Sequence, residues 1–150
     1  MQLQCCSAIE SPVSVDAGVL EEAARSPVAR LATAAPKGQI DLVPITFALA
    51  GTTVVTAVDH KAKQTRRLQR LANIARDPRV TVLVDHYDDD WSALWWARLK
   101  GLATVVTEGP RFADAIELLV AKYPRHYGPQ PPQGPVIIID ITDVYTWRAS

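Results

Sequence analysis

Apolar residues recur along this chain with two different periods. Thr53, Val54, Val55, Thr56, Ala57 and Val58 form a largely β-branched run that stops at the polar pair Asp59 and His60, and the run predicts a strand. The period then changes. Leu68, Leu71, Ala72 and Ala75 fall at i, i+3, i+4 and i+7, which predicts a helix over 64–76 with arginines on the opposite face. Asp77-Pro78 ends that helix. A short helix is expected over 17–25, capped by Asp16 and broken by Ser26-Pro27. Another is expected over 111–122, where Phe112, Ala115, Ile116, Leu119 and Val120 share one side.

Strand-like runs cover 28–34 and 40–50, joined by the turn Ala35-Pro36-Lys37-Gly38. Pro44 has no N–H to give to a ladder, so it marks an edge, a bulge or backbone that faces a ligand. In 79–87, Val80, Val82, Leu83 and Val84 leave neither face polar, and both faces should be covered. Asp88, Asp89 and Asp90 open a loop that holds Trp91, Trp95 and Trp96, and a strand over 97–107 is interrupted at Gly101. A proline-rich loop fills 124–135, and a final strand over 136–141 leads on towards Trp147 and Arg148. About six strands joined mostly by short turns, with two or three helices, predict a mainly β, closed antiparallel barrel with peripheral helices. The strand that is apolar on both faces needs cover from outside, which a homodimer supplies.

Composition narrows the function classes. With 150 residues, 48% of them hydrophobic, the chain suits one domain around one core. A formal net charge of zero gives no overall field towards nucleic acid or anionic membrane. The first residues lack a basic leader, and no apolar run approaches the roughly 18 residues of a spanning helix, so a cytoplasmic protein is expected. Cys5 and Cys6 are adjacent, with no further thiols for a disulfide framework or zinc site.

Familiar catalytic signatures are missing: there is no GxSxG, GxxxxGK[ST], GxGxxG, HExxH or paired CxxC. His60, His86 and His126 sit in separate segments without ligand spacing, and the Asp88 to Asp90 run lacks the glycine and second acidic half of a calcium loop. One feature breaks a local rule. Helix starts favour acidic side chains, yet Lys61, Lys63, Arg66, Arg67 and Arg70 crowd this one with no acid between them. Either this is a solvated basic face, or an outside anion supplies the negative charge, which makes 61–67 a candidate phosphate site. The three tryptophans offer stacking surface for a planar ring, or else interface packing. Phosphate-grade charge beside aromatic surface suits a flavin-like cofactor better than nucleic acid.

A family resemblance rests on the order Val28-Ala29-Arg30-Leu31-Ala32-Thr33, Gly38, Leu42-Val43-Pro44-Ile45, Lys61-Ala62-Lys63, Arg67-Leu68 and Asp77-Pro78-Arg79-Val80. This order resembles the pyridoxamine-phosphate-oxidase-like split β-barrel proteins. Val84-Asp85-His86-Tyr87-Asp88-Asp89-Asp90-Trp91 and Val144-Tyr145-Thr146-Trp147-Arg148 are similar to the actinobacterial branch of oxidoreductases that depend on the deazaflavin coenzyme F420. The resemblance implies a homodimeric, six-stranded split barrel with the cofactor in a groove between subunits. It implies that Lys61 and Lys63, with Thr65 and Arg67 nearby, hold the phosphate. The ring would lie along Pro44, Ile45 and Thr46 and along Thr56, Ala57 and Val58, and Trp91 would approach from its loop. The implied activity is hydride transfer from reduced F420 to a small organic acceptor, with an FMN-using relative and a non-catalytic cofactor carrier as alternatives. Two departures from FMN-using oxidases, Asp41-Leu42-Val43-Pro44-Ile45 in the ring-binding strand and lysines in the phosphate pair, favour the deazaflavin.

Overall fold

The computed structural model describes residues 17–58 and 64–150, with residues 64–68 as helix backbone only. Helix α1 (Ala17–Ala24) precedes strands β1 (Ala29–Ala34), β2 (Ile40–Ile45), β3 (Ala48–Ala50) and β4 (Thr53–Ala57). Then follow α2 (Gln64–Arg76), β5 (Arg79–His86), β6 (Trp95–Val106), α3 (Pro110–Lys122), α4 (Pro124–Tyr127) and β7 (Val136–Arg148). The strands form one antiparallel seven-stranded sheet in the order β2-β1-β5-β6-β7-β4-β3.

The expected run over 40–50 is two strands, not one. β2 pairs with β1 and β3 with β4, so consecutive pieces of chain lie at opposite edges of the sheet. Only Thr46 and Phe47 separate them, and three peptide steps reach at most about 11 Å. The sheet must therefore curl until its edges nearly meet. The result is a half-barrel with seven strands where six were expected, and its two edges are not hydrogen-bonded to each other, so the ring is not closed. Pro44 sits on edge strand β2, opposite Arg30, where its missing N–H breaks no ladder.

Inside the curl, Leu31, Phe47, Val54, Val82, Leu99, Ile137 and Ile139 are fully buried in one core, joined by Leu20 of α1 and Ile74 of α2. A second cluster seats Ala115 and Leu119 of α3 on Ala48, Val55, Val136 and Ile138. β5 alternates: Val80, Val82 and Val84 point inwards, while Thr81 and Leu83 are only half-covered on the outer face. The expectation of two buried faces is corrected accordingly. Thr81 and Leu83 stand beside Lys100 and Arg98 of β6, not beneath a second layer.

Three boundaries also differ from expectation. Trp95 and Trp96 belong to β6, not to a loop, and they pair with Arg148 and Trp147 of a β7 that runs on well past Ile141. Inside the supposed proline-rich loop, Pro124–Tyr127 makes a helical turn. Gly101 does not interrupt β6. It sits at a register shift, where an added Cβ would lie 2.5 Å from the Asp140 carbonyl oxygen and 2.8 Å from Ile139 Cγ2.

The face that α2 buries is rotated from the predicted stripe. Ala72 and Ala75 are exposed, whereas Asn73 and Ile74 are buried. The reason is polar. Asn73 Nδ2 donates to Thr33 Oγ1 at 3.0 Å and to Asp41 Oδ2 at 2.7 Å, while its Oδ1 accepts from Gln69 Nε2 at 2.9 Å. That network ties α2 to β1 and β2, and two exposed alanines forgo little apolar burial in exchange.

Candidate functional site

The crossover between the two sheet edges is the point on which several elements converge. Thr46 is exposed, and its carbonyl accepts the Thr56 hydroxyl at 2.7 Å. Its own hydroxyl lies 2.9 Å from Tyr127 Oη. The Phe47 ring is fully buried, and its amide donates to Tyr123 Oη at 3.1 Å. The Tyr123 hydroxyl in turn has two acceptors for its one proton, the carbonyls of Pro27 at 2.9 Å and Phe47 at 3.0 Å. Lys122 Nζ donates to the Ser26 carbonyl at 2.7 Å and stands 3.7 Å from the Phe47 ring centroid. Burial lowers the Lys122 pKa to about 8, and burial also raises that of Tyr123, against the opposing pull of its bond with Phe47.

The end of α3 and the α4 turn that follows thus grip the crossover through Lys122, Tyr123 and Tyr127, none of which stood out in the sequence. The i, i+4 spacing of the two tyrosines, whose rings meet edge to face at 5.8 Å, was the available signal.

Of the expected ring platform, the structure brings Thr46 and Thr56 together. Ile45, Thr56, Ala57 and Val58 are buried, so these positions can present backbone only. The β3–β4 ladder stops at Ala48 and Val55, and beyond it no β3 residue is paired with Thr56 or Ala57. Thr56 and Ala57 remain paired with Ile137 and Val136 of β7, so one side of this backbone is left without a strand partner beside exposed Thr46, with Pro44 on the adjoining edge. Trp91, 43% exposed, opens a single 3₁₀ turn between β5 and β6, beyond the pair His86 and Trp95. By strand register, this is the end of the sheet at which Ile45 leaves β2.

Lys61 and Lys63 lie outside the described residues, and so do the side chains of Thr65 and Arg67; the phosphate cluster is assigned no geometry. What is described is the helix that follows: it starts at Gln64 with no acid in its first turn. Arg70 is not on an outer face as expected. It is partly buried, its Nε is shut off from solvent without a hydrogen-bond partner among the described residues, and desolvation lowers its pKa.

Other candidates resolve into structural roles. Asp88 accepts from the Asp90 amide at 2.8 Å, and Asp90 caps the Trp91 turn by accepting from the Ser92 amide at 3.0 Å. The Ser92 hydroxyl, which donates to Asp90 Oδ1 at 2.7 Å, and then the Ser92 amide hold the Asp90 carboxyl below the usual range. His86 stacks on Trp95 at 6.3 Å, and exposed His126 sits in α4. His60, Cys5 and Cys6 lie outside the described residues. Among the described residues no group of three or more His, Cys, Asp or Glu side chains could hold a metal, and no helix is long and apolar enough to cross a membrane.

Comparison with known proteins agrees with this architecture. Residues 16–148 match the family profile described as pyridoxamine 5'-phosphate oxidase. Among solved structures, a conserved hypothetical protein of Mycobacterium tuberculosis is similar with TM-score 0.72 at 20% identity, over 91% of this chain and 86% of that one. A FAD-binding protein of Mesorhizobium loti is similar with TM-score 0.69 at 18% identity, over 91% of this chain and 96% of that one. The FAD-binding protein of Mycobacterium smegmatis is similar with TM-score 0.59 at 15% identity, over 90% and 96%. No significant sequence match exists among curated proteins.

Proposed function

The chain belongs to the pyridoxamine 5'-phosphate oxidase family, and from that premise we propose that it is an oxidoreductase that holds a phosphate-bearing, flavin-type ring, coenzyme F420 first and FMN second. The observation that carries this reading is the adjacency of two features. Neutral backbone at Thr46, and at Thr56 on the side not laddered to β7, suits a planar ring, and the same strand β4 leads through 59–63, which include Lys61 and Lys63, into a helix with no acid in its first turn. The donor chemistry fits the group: carbonyls and hydroxyls for the ring, ammonium and guanidinium groups for its phosphate.

When bound, the cofactor supplies the hydride. The chain's part is to position the ring on the crossover, to hold its phosphate with Lys61, Lys63, Thr65 and Arg67, and to cover it with Trp91. A small organic acceptor would occupy the open side. The FAD-binding structural relatives favour an isoalloxazine ring as the second reading. The Val84 to Trp91 and Val144 to Arg148 segments favour the deazaflavin.

A homodimer belongs to the same proposal. Ile40 at 72%, Leu42 at 65% and Leu102 at 48% exposure leave apolar surface on the outer face of the sheet, which a second copy would cover.

Titration with F420 and with FMN, followed by fluorescence and anisotropy, tests the reading. Saturable micromolar binding of one of them is expected, and absence of binding by both refutes it. Turnover of quinones or nitroaromatics by protein loaded with reduced cofactor separates an enzyme from a carrier.

A further inference from the structure

Among the described residues of α2, Asn73 alone hydrogen-bonds to two strands at once. It is fully buried, and its Nδ2 divides two protons between Thr33 Oγ1 on β1 at 3.0 Å and Asp41 Oδ2 on β2 at 2.7 Å. Those two acceptors are register partners, directly opposite each other across the β1–β2 ladder, so the amide sits astride a single rung. Gln69 Nε2, one turn earlier, donates to Asn73 Oδ1 at 2.9 Å and fixes which way the amide faces. Apolar contact would leave this helix loosely set. Ile74 is buried and Leu71 half-covered, and such contacts are non-directional, so they tolerate a rotation or a slide that an amide with three partners does not. A buried polar group of this kind costs stability relative to a packed apolar one, and its best-attested role is to fix register. Both ends of the candidate site depend on that register. Asp41 lies three residues before Pro44, about 10 Å along β2, where the platform of Pro44, Ile45 and Thr46 begins. Asn73 lies nine residues beyond Gln64, about 14 Å along α2, and Lys61 and Lys63 precede Gln64 in the chain.

We propose that Asn73 is the positioning residue of this site: by seating α2 on the Thr33–Asp41 rung, it sets the separation between the start of the helix and the ring-binding strand, so that one ligand meets both. This rests on the reading of the protein as a binder of a phosphate-bearing ring, and it adds a residue that touches neither ring nor phosphate. Two subsites held at the right spacing bind a linked ligand far better than either fragment, and a misplacement of about 1 Å forfeits much of that gain.

The test compares wild type with Asn73→Leu, Asp41→Ala and the exchanged pair Asn73→Asp with Asp41→Asn. The exchange puts the carboxyl on the helix and the amide on the strand, where the Gln69 amide, the Thr33 hydroxyl and the new amide can all donate to it. Affinity is measured by fluorescence for FMN and F420 and for the two ring alcohols that lack the phosphate, riboflavin and its deazaflavin counterpart. Asn73→Leu should lower affinity for the phosphate-bearing cofactor roughly tenfold or more and leave the ring alcohol within about twofold. Asp41→Ala should give a smaller loss of the same kind, and the exchange should recover part of it. Each protein is also prepared with spin labels at the exposed positions Gln39→Cys and Ala72→Cys, with Cys5→Ser and Cys6→Ser, and diluted into unlabelled protein. One narrow label distance is expected with Asn73 in place, and in Asn73→Leu it should broaden or move by about 2 Å. A residue with a merely structural role would lower Tm and leave both the distance and the affinity ratio alone.

An unchanged ratio of cofactor to ring-alcohol affinity in Asn73→Leu overturns the proposal, as does an equal loss for both ligands or an unmoved label distance. Should Asn73→Leu fail to fold, Asp41→Ala and the exchanged pair decide by the same ratio and the same distance. If wild type binds neither FMN nor F420, the cofactor reading fails, and the label distance then decides by itself whether Asn73 sets α2 against β2.

Discussion

Replacing Tyr123 by Phe removes one oxygen from the crossover and leaves the ring in place. The Phe47 amide loses its acceptor at 3.1 Å, and the carbonyls of Pro27 and Phe47 lose the proton they share. A stranded, partly buried amide costs about 1–3 kcal/mol, and one lost hydrogen bond about 0.5–1.5 kcal/mol. Pro27 is exposed, so water replaces that contact and the lower part of each range applies. The sum is about 2 kcal/mol, equivalent to a fall in Tm of about 4–8 °C for a domain of this size. Urea unfolding should give this loss with an unchanged m value, and hydrogen exchange should show reduced protection at the Phe47 amide. The internal reference is Tyr127→Phe, which removes only the exposed contact with Thr46 and should cost under about 0.5 kcal/mol. A Tyr123→Phe protein within 0.5 kcal/mol of wild type, or a Tyr127→Phe protein equally weakened, would refute the view that α3 fixes the crossover through one hydroxyl.

Gly101→Ala should cost about 2–3 kcal/mol, since its Cβ meets the Asp140 carbonyl oxygen at 2.5 Å and the backbone must give way; calorimetry checks this, and a neutral result would mean the bulge yields freely. Folding depresses the Lys122 pKa from 10.5 to about 8, so its charged form costs stability fully below about pH 8, and the cost fades as pH rises towards 10.5. The stability of wild type relative to Lys122→Met should accordingly be flat below pH 8 and climb above it; a curve flat throughout contradicts the burial of the amine. Lys63→Ala should weaken cofactor binding by about 1–3 kcal/mol with Tm unchanged, and equal affinities would move the phosphate elsewhere. Trp91→Ala should reduce cofactor affinity more than it reduces dimerisation, measured by titration and ultracentrifugation; the reverse would make Trp91 an interface residue.

Local chemistry accounts for what could be read directly from the chain. The β-branched run at Thr53 leads into a strand, Asp77-Pro78 stops α2, and the apolar period over Phe112 to Val120 lies within α3, because each depends on neighbours within a turn or two. The order of motifs from Val28 to Arg148 was likewise enough to point to the family. Other features depended on contacts between distant residues. The break at Thr46 and Phe47 falls inside a continuous strand-like run, and only the curl of the sheet requires the chain to change edges there. The inward face of α2 followed Asn73 and its bonds to Thr33 and Asp41 instead of the alanine stripe, since a satisfied buried amide outweighs two methyl groups. Tyr123 reaches Phe47 across 76 residues. Periodicity records which side of an element is apolar, but not which remote carbonyl its hydroxyls and ammonium groups will meet, and that was decided only when the sheet curled around its core.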